Sequence, residues 1–309
     1  MTHNDRVKRL LVTGLHGFVG KALARLVASD PALSSWQLAE VPDTVDLRDS
    51  ASVAALVAAS PPDAVIHLAA QSFVPEAFRE PAATLQTNIF GTLNLLQGLQ
   101  AASFAGRMVY VGTGDVYGLV DVAALPVEET HLAVPRNPYA VSKLAAEALC
   151  RQWAITESMD IVIARPFNHI GREQSERFVV ADFARQVALI KRGFCAPVVK
   201  VGDIDVTRDF TNVDDVVYAY FALLDRGERS EVYNVCSGRE RSVRSILERI
   251  AELAGVWISI ETDERRMRRA EQRRMCGDAS KIRVATGWSA TTPLDVSLAG
   301  MLEHWESEV

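Results

Sequence analysis

Two rhythms of apolar residues alternate along the first half of the chain. Short unbroken runs fall at Arg9-Leu10-Leu11-Val12-Thr13 and at residues 36–41, 64–70, 107–111 and 160–164. Runs of this length, rich in Val, Ile and Leu, read as strands buried on both faces. Between them lie longer stretches with helical spacing, at residues 21–27, 51–59, 82–101 and from Pro138 onward. Within 82–101, Leu85, Ile89, Leu93, Leu96 and Leu99 make one apolar stripe. Residues 45–49 read as a further short strand that ends in acids. Strand and helix in alternation predict an α/β chain with a doubly wound parallel sheet and helices on both faces.

After residue 166 the character changes. Helices are expected at 178–192, 213–224, 242–254 and 294–305, and a strand at 232–236, among shorter and more polar segments. The expected division is a larger unit, 1–166, and a smaller α/β unit, 167–309, with a return segment near 210–236 allowed for.

Chemistry enters at the first strand end. Gly14, Gly17 and Gly20 stand three residues apart between a strand and an amphipathic helix. Glycines there permit a tight turn and let a pyrophosphate approach the backbone N–H groups of a helix N-terminus. The pattern predicts a dinucleotide site. Glu40 follows Gly20 by 20 residues, the distance at which an acid holds the adenosine ribose of NAD, but it can equally point away. Residues 41–44 offer no arginine for the 2′-phosphate of NADP. The choice between NAD(H) and NADP(H) therefore stays open. Asp46 reads either as an acceptor for the adenine amino group or as the cap of helix 51–59. The small Ala69-Ala70 pair leaves room for a cofactor at a strand's carboxyl end. His67, inside an apolar run, reads as a satisfied core residue rather than a catalyst.

A second cluster begins at Asn137-Pro138-Tyr139-Ala140-Val141-Ser142-Lys143. Proline is tolerated in the first turn of a helix, so a helix should start here. Tyr139 and Lys143 are then four apart on one face. A positive charge beside a phenol favours its anion, and such a phenol can exchange a proton with a carbonyl or alcohol. Thr113 and Asp115 emerge where the 107–111 strand ends. They are either turn formers or part of a site, and the glycine-rich, polar context favours a site in which Thr113 and Tyr139 share one substrate oxygen.

Charge and cysteines narrow the class. The formal charge of −6 argues against general nucleic-acid or membrane-surface binding, so any anion site must be local. The basic run at residues 264–274 is the one candidate for such a site. No segment is long and apolar enough to span a bilayer. The four cysteines show no metal-ligand spacing, so no metal is expected, and they read as free thiols of a reducing, cytoplasmic compartment.

Taken together, Thr13-Gly14-x-x-Gly17-Phe18-x-Gly20, His67-Leu68-Ala69-Ala70, Asn88, Thr113 and Tyr139-x-x-x-Lys143 resemble the extended short-chain dehydrogenase/reductase family. In the second half, residues 165–171, Val201-Gly202-Asp203-Ile204-Asp205-x-x-Arg208-Asp209-Phe210 and Arg268-Arg269-Ala270-Glu271 are similar to its GDP-mannose branch, and nearer to the reductases than to the 4,6-dehydratases. The resemblance implies a Rossmann-type domain, a bound NADP(H) or NAD(H), a GDP-linked 4-keto-6-deoxy sugar as substrate and a homodimer. It implies catalysis by Thr113, Tyr139 and Lys143, with Asn88 steadying the lysine through water. It implies cofactor contacts from Gly14, His16, Gly17, Phe18, Val19, Gly20, Asp46, Leu47, Leu68, Ala69, Ala70 and Lys143, and substrate contacts from Asn168, Val179, Arg208, Arg268 and Glu271. At Asp115 the dehydratases carry a glutamate, which removes water across C5–C6 of the sugar. The shorter Asp115 reaches less far and points to reduction. Dehydration, or a non-catalytic nicotinamide-binding regulator, remains the rival reading.

Overall fold

The computed structural model describes residues 7–42, 44–266 and 272–309. Its larger sheet is built from β1 (Lys8–Thr13), β2 (Trp36–Leu38), β3 (Ala64–His67), β4 (Arg107–Val111) and β5 (Asp160–Pro166), with a sixth strand from further along the chain. Among the described residues the order is β2-β1-β3-β4-β5 and then Val232–Val235, all parallel. The chain winds outward on one side of β1 and then on the other. The crevice at the carboxyl ends of β1 and β3 is therefore the switch point where such sheets bind ligands.

Helices cover both faces. They are α1 (Phe18–Ser29), α2 (Ser50–Ala59), α3 (Val74–Arg79), α4 (Pro81–Leu85), α5 (Gly91–Ala101) and α6 (Pro138–Thr156). Strand alternation sends Leu10, Val12 and Ile66 into one apolar layer and Leu11, Val65 and Tyr110 into the other. This is why these strands read as continuous apolar runs in the sequence.

The remaining strands are β6 (Asn168–Ile170), β7 (Val198–Val201), β8 (Thr207–Asn212), β9 (Val232–Val235, the sixth strand above), β10 (Glu240–Ser242) and β11 (Ser259–Thr262). They form a three-stranded sheet, β10-β8-β6, and a parallel pair, β11-β7. The helices are α7 (Val179–Lys191), α8 (Val213–Arg226), α9 (Val243–Ala254), α10 (Ser280–Thr286) and α11 (Leu294–Glu308). A second core of Phe183, Val187, Ile246, Leu247, Leu298 and Met301 joins α7, α9 and α11. α8 packs instead into the larger core, through Val216, Tyr220 and Leu223.

Three expectations need correction. Residues 45–49 form turns, not a strand. The Asp46 carboxylate turns back on Arg48, and Asp49 caps α2 through the Ala51 N–H. The helix expected over 82–101 is interrupted by a π-helical turn, Gln86–Phe90, between α4 and α5. The sequence stripe is continuous there, so periodicity alone gives no sign of the extra residue. The second strand stops at Leu38 rather than residue 41.

One buried ion pair ties α6 to the sheet. The Arg165 guanidinium forks onto Glu147 at 3.0 and 2.6 Å, with both side chains out of solvent. The same guanidinium lies over the Tyr117 ring, 4.9 Å from its centroid. Removing one partner of such a pair strands a buried charge, so Arg165→Met should cost about 3–5 kcal/mol in urea unfolding. Adding Glu147→Leu should restore most of it. A single variant within about 1 kcal/mol of the parent would contradict the assignment.

Candidate active site

The glycine turn is shaped by contact as well as by conformation. Gly14 has φ of +78°, and a Cβ there would stand 2.8 Å from the Ala69 amide nitrogen. A Cβ on Gly20 would stand 2.4 Å from the carbonyl oxygens of Gly14 and Leu15. Gly17 precedes α1 and supplies no side-chain cap, which leaves the first-turn amides of Phe18 to Gly20 for an anion. The loop thus fits the pyrophosphate of a dinucleotide. Leu68, Ala69 and Ala70, half-buried just beyond β3, form the adjacent wall. His16 and Val19 flank the turn.

At the far end of the sheet edge, Thr44, Val45, Asp46, Leu47, Arg48 and Thr87 line an open pocket of about 430 Å³. Asp46 and Leu47 therefore line one pocket. Asp46 is also engaged by Arg48, whose guanidinium nitrogen approaches to 2.7 Å. The Leu47 carbonyl accepts from the Asn94 amide at 2.8 Å.

α6 begins as the sequence suggests. The Asn137 side chain accepts from the Ala140 N–H at 2.7 Å, and Pro138 takes the first turn. Tyr139 is half-buried and Lys143 is buried. Burial pushes the Tyr139 phenol well above its ordinary pKa, the Asp115 carboxylate adds to this, and the Thr113 hydroxyl pulls it back. Thr113 ends the β4 strand region and accepts from the Asp115 N–H at 3.2 Å. Thr113, Asp115 and Tyr139 are thus one cluster.

The Lys143 ammonium lies over the Tyr110 ring, 4.6 Å from its centroid. Burial lowers its pKa to about 8, against the opposing pull of Cys150 and Glu147. Its charge is felt at His67 and Cys150, whereas the groups that shift Tyr139 are Asp115 and Thr113. The expected lowering of the Tyr139 pKa by Lys143 is not seen in this structure.

Asn88 sits in the π turn, buried, and both of its amide hydrogens are committed. Its Oδ1 accepts from the Gln71 N–H at 2.8 Å. Its Nδ2 donates to the Gln71 carbonyl at 3.0 Å and to Ser142 Oγ at 2.8 Å. Asn88 therefore holds the residue beside Lys143 rather than Lys143 itself.

The substrate-side residues are spread out. Asn168 is exposed at the start of β6, and Val179 is exposed at the start of α7. Arg208, half-buried on β8, donates to the Thr207 carbonyl at 2.7 Å. Arg268 and Glu271 lie outside the described residues. Phe18, at the N-terminus of α1, stacks on His169 of β6 with centroids 6.0 Å apart, so the cofactor turn touches the strand that carries Asn168. Sequence reading missed Gln71, Thr92, Ser142, Glu147 and Arg165 as parts of the site. A small polar residue beside Lys143 and a carboxylate one turn beyond it were the available signals.

A Rossmann-type sheet with a glycine turn at its switch point, and a Tyr139/Lys143 pair beside a strand-end threonine, defines an extended short-chain dehydrogenase/reductase. The model of the GDP-mannose 4,6 dehydratase family matches residues 41–301, and the chain belongs to that family. It is 52% identical over 302 residues to a GDP-6-deoxy-D-mannose reductase of Pseudomonas aeruginosa, covering 98% of each chain. A solved structure of RMD from Pseudomonas aeruginosa complexed with NADPH, at 52% identity, gives a TM-score of 0.92 over 98% of this chain and 100% of that one. A GDP-6-deoxy-D-talose 4-dehydrogenase of Aggregatibacter actinomycetemcomitans is 30% identical over 89% of this chain and 90% of its own. Among the described residues no cluster of metal ligands occurs and no helix is long and apolar enough to cross a membrane.

The buried lysine can be tested directly. With its pKa lowered to about 8, Lys143 loses its proton in the folded protein before it would in the unfolded chain. Between that value and its ordinary one the unfolded chain holds the extra proton, so the lysine's contribution to stability rises with pH across that window. NMR of labelled lysine side chains, with Lys143→Arg as assignment control, should show a midpoint near pH 8. A midpoint above about 10 would contradict the burial argument.

Proposed function

We propose that the protein reduces the C4 keto group of GDP-4-keto-6-deoxy-D-mannose, with NADPH as reductant, to give GDP-6-deoxy-D-mannose (GDP-D-rhamnose). The observation that carries this is end-to-end similarity to a reductase of that name, 52% identical over 98% of each chain, in a protein that has Thr113 just past β4 and Tyr139 and Lys143 on α6. The NADPH complex of the Pseudomonas aeruginosa protein favours NADPH over NADH.

The glycine turn and α1 would hold the pyrophosphate, Leu68 to Ala70 the adjoining face, and Lys143 the nicotinamide ribose. When bound, the reduced nicotinamide supplies a hydride for C4. Tyr139 supplies the matching proton. Its raised pKa keeps that proton in place until an alkoxide develops to take it. Thr113 accepts from the Asp115 N–H, so its own O–H is left to donate to the same substrate oxygen. Arg208 and Arg268 would grip the diphosphate, Asn168 would hydrogen-bond a phosphate oxygen, Glu271 would take the guanosine ribose hydroxyls, and Val179 would line the same substrate site. Anchors so far from C4 orient the reacting carbon. A cofactor unit over 1–166 with a return near 210–236, and a substrate unit over the rest, belong to the same proposal.

The family model's own description supports a second reading, dehydration of GDP-mannose, which borrows and returns a hydride. Asp115, one methylene shorter than the glutamate that reaction uses, supports reduction. One assay separates them. Protein mixed with GDP-4-keto-6-deoxy-D-mannose should consume NADPH mole for mole, and NMR should show a 6-deoxy-D-mannosyl product. NADPH left unchanged would sink the reductase reading. Tyr139→Phe should bind NADPH normally and lose turnover by about 10²-fold or more.

The same proposal includes a homodimer. Val141, Ala148 and Ile155 stand seven residues apart on the exposed face of α6, and Phe90 is exposed on the neighbouring π turn. An apolar stripe at heptad spacing suits a helix face shared between two copies. Ile155→Asp should shift the sedimenting species to the 33.8 kDa monomer. A parent protein already monomeric at micromolar concentration would contradict the dimer.

A further inference from the structure

Under the cofactor wall the buried polar groups join into one hydrogen-bonded chain. It starts at the Ala69 N–H, 3.3 Å from Thr13 Oγ1. Thr13 Oγ1 meets His67 Nδ1 at 2.6 Å, and His67 Nε2 meets Thr92 Oγ1 at 2.9 Å. Thr92 donates to the Asn88 carbonyl at 2.7 Å. The Asn88 amide donates to Ser142 Oγ at 2.8 Å, and Ser142 donates to the Tyr139 carbonyl at 2.7 Å. Thr13, His67, Thr92, Asn88 and Ser142 are all buried.

Every proton in this chain is fixed by its neighbours. The Asn88 carbonyl can only accept, so Thr92 spends its single O–H there and must accept from His67 Nε2–H. His67 is neutral, since burial and the nearby Lys143 charge lower its pKa to about 3. Its Nδ1 is then bare and accepts from Thr13 O–H. The Thr13 oxygen keeps a lone pair for the Ala69 N–H. The Asn88 orientation is equally determined, because Gln71 offers an N–H to one amide atom and a carbonyl to the other. A chain in which every side-chain donor is committed has one arrangement of its protons and resists small displacements.

We propose that His67 and Thr92 are positioning residues, which set where Tyr139 stands relative to the cofactor wall at Ala69. The inference rests on the reductase reading for its kinetic test. Its physical content is narrower: two walls of one site, on β3 and on α6, are tied through a histidine locked in one tautomer. Neither residue touches a reacting atom. The Thr92 hydroxyl bonds the Asn88 carbonyl four residues back, as a helical threonine can, while the Asn88 side chain on the π turn reaches Ser142.

Thr92→Val keeps the shape of the side chain and removes the hydroxyl. This leaves the His67 N–H without an acceptor. Single-turnover oxidation of NADPH should slow by about tenfold, with NADPH and sugar-nucleotide affinities within about threefold of the parent. Thr92→Ser, which keeps the hydroxyl, should return to within about threefold. A Val variant at the parental rate, or Ser and Val variants equally slow, would overturn the proposal. Ser142→Ala cuts the chain at its other end with little change in volume and should reproduce the Val result, which keeps the test available if Thr92→Val does not fold.

A second readout needs no turnover. In NMR spectra of ring-labelled tyrosine, the Tyr139 signal, assigned with Tyr139→Phe, should move in Thr92→Val and return in Thr92→Ser. An unmoved signal overturns the positioning role. Parent protein that consumes no NADPH overturns the reductase reading alone, because the NMR result stands apart from it.

Discussion

The catalytic edge of this protein is organised around an ammonium group placed where water does not reach. Burying a lysine charge costs several kcal/mol unless neighbours compensate. Lys143 has the Tyr110 ring beneath it and the Glu147 carboxylate one turn further along α6. That carboxylate is already committed to Arg165. One negative group thus lies between two positive ones, and His67, which also feels Lys143, is held neutral. The result is partial compensation: the lysine keeps its charge near neutrality without being locked into it.

The glycine turn and the β6–β8 strands are tied together by specific contacts. Phe18, in the first turn of α1, stacks on His169 of the strand that begins with Asn168. Beside Arg208, the buried Asp209 carboxylate accepts from the backbone N–H groups of Ser237 and Gly238 and from the Ser237 hydroxyl. The strand bearing the arginine is thereby fixed to the loop after β9. Burial pushes the Asp209 pKa up, and these donors oppose that shift. The talose-named relative, similar over most of both chains, acts by its name at the same sugar carbon. Configuration at that carbon depends on which sugar face meets the nicotinamide, so wall shape, rather than the proton-transfer residues, must decide it.

The sheet was legible because its strands are buried on both faces and leave unbroken apolar runs. The glycine turn was legible because few residue types tolerate the contacts at Gly14 and Gly20. Tyr139, Lys143 and Thr113 could be picked out as types at a spacing, but their electrostatics could not. The opposing effects of Asp115 and Thr113 on Tyr139 arise across a fold, not along a helix. Residues 45–49 misled because an alternating apolar pattern followed by acids suits a turn held by Asp46 and Arg48 as well as a strand. His67 was rightly read as a satisfied core residue, but its partners lie 54 and 25 positions away, beyond any local pattern.

The π turn at residues 86–90 is a change of phase. One added residue rotates the downstream helix by about 100° relative to the upstream one. α4 therefore addresses α6 while α5 addresses α2, and a single apolar stripe serves two partners. A gene that lost one codon there would keep its hydrophobic residues and a sound helix. It would nonetheless aim Asn88 at the wrong neighbour. A comparison that scores substitutions alone passes over such a change, yet a one-residue gap at this point would weigh more heavily on the site than many substitutions elsewhere.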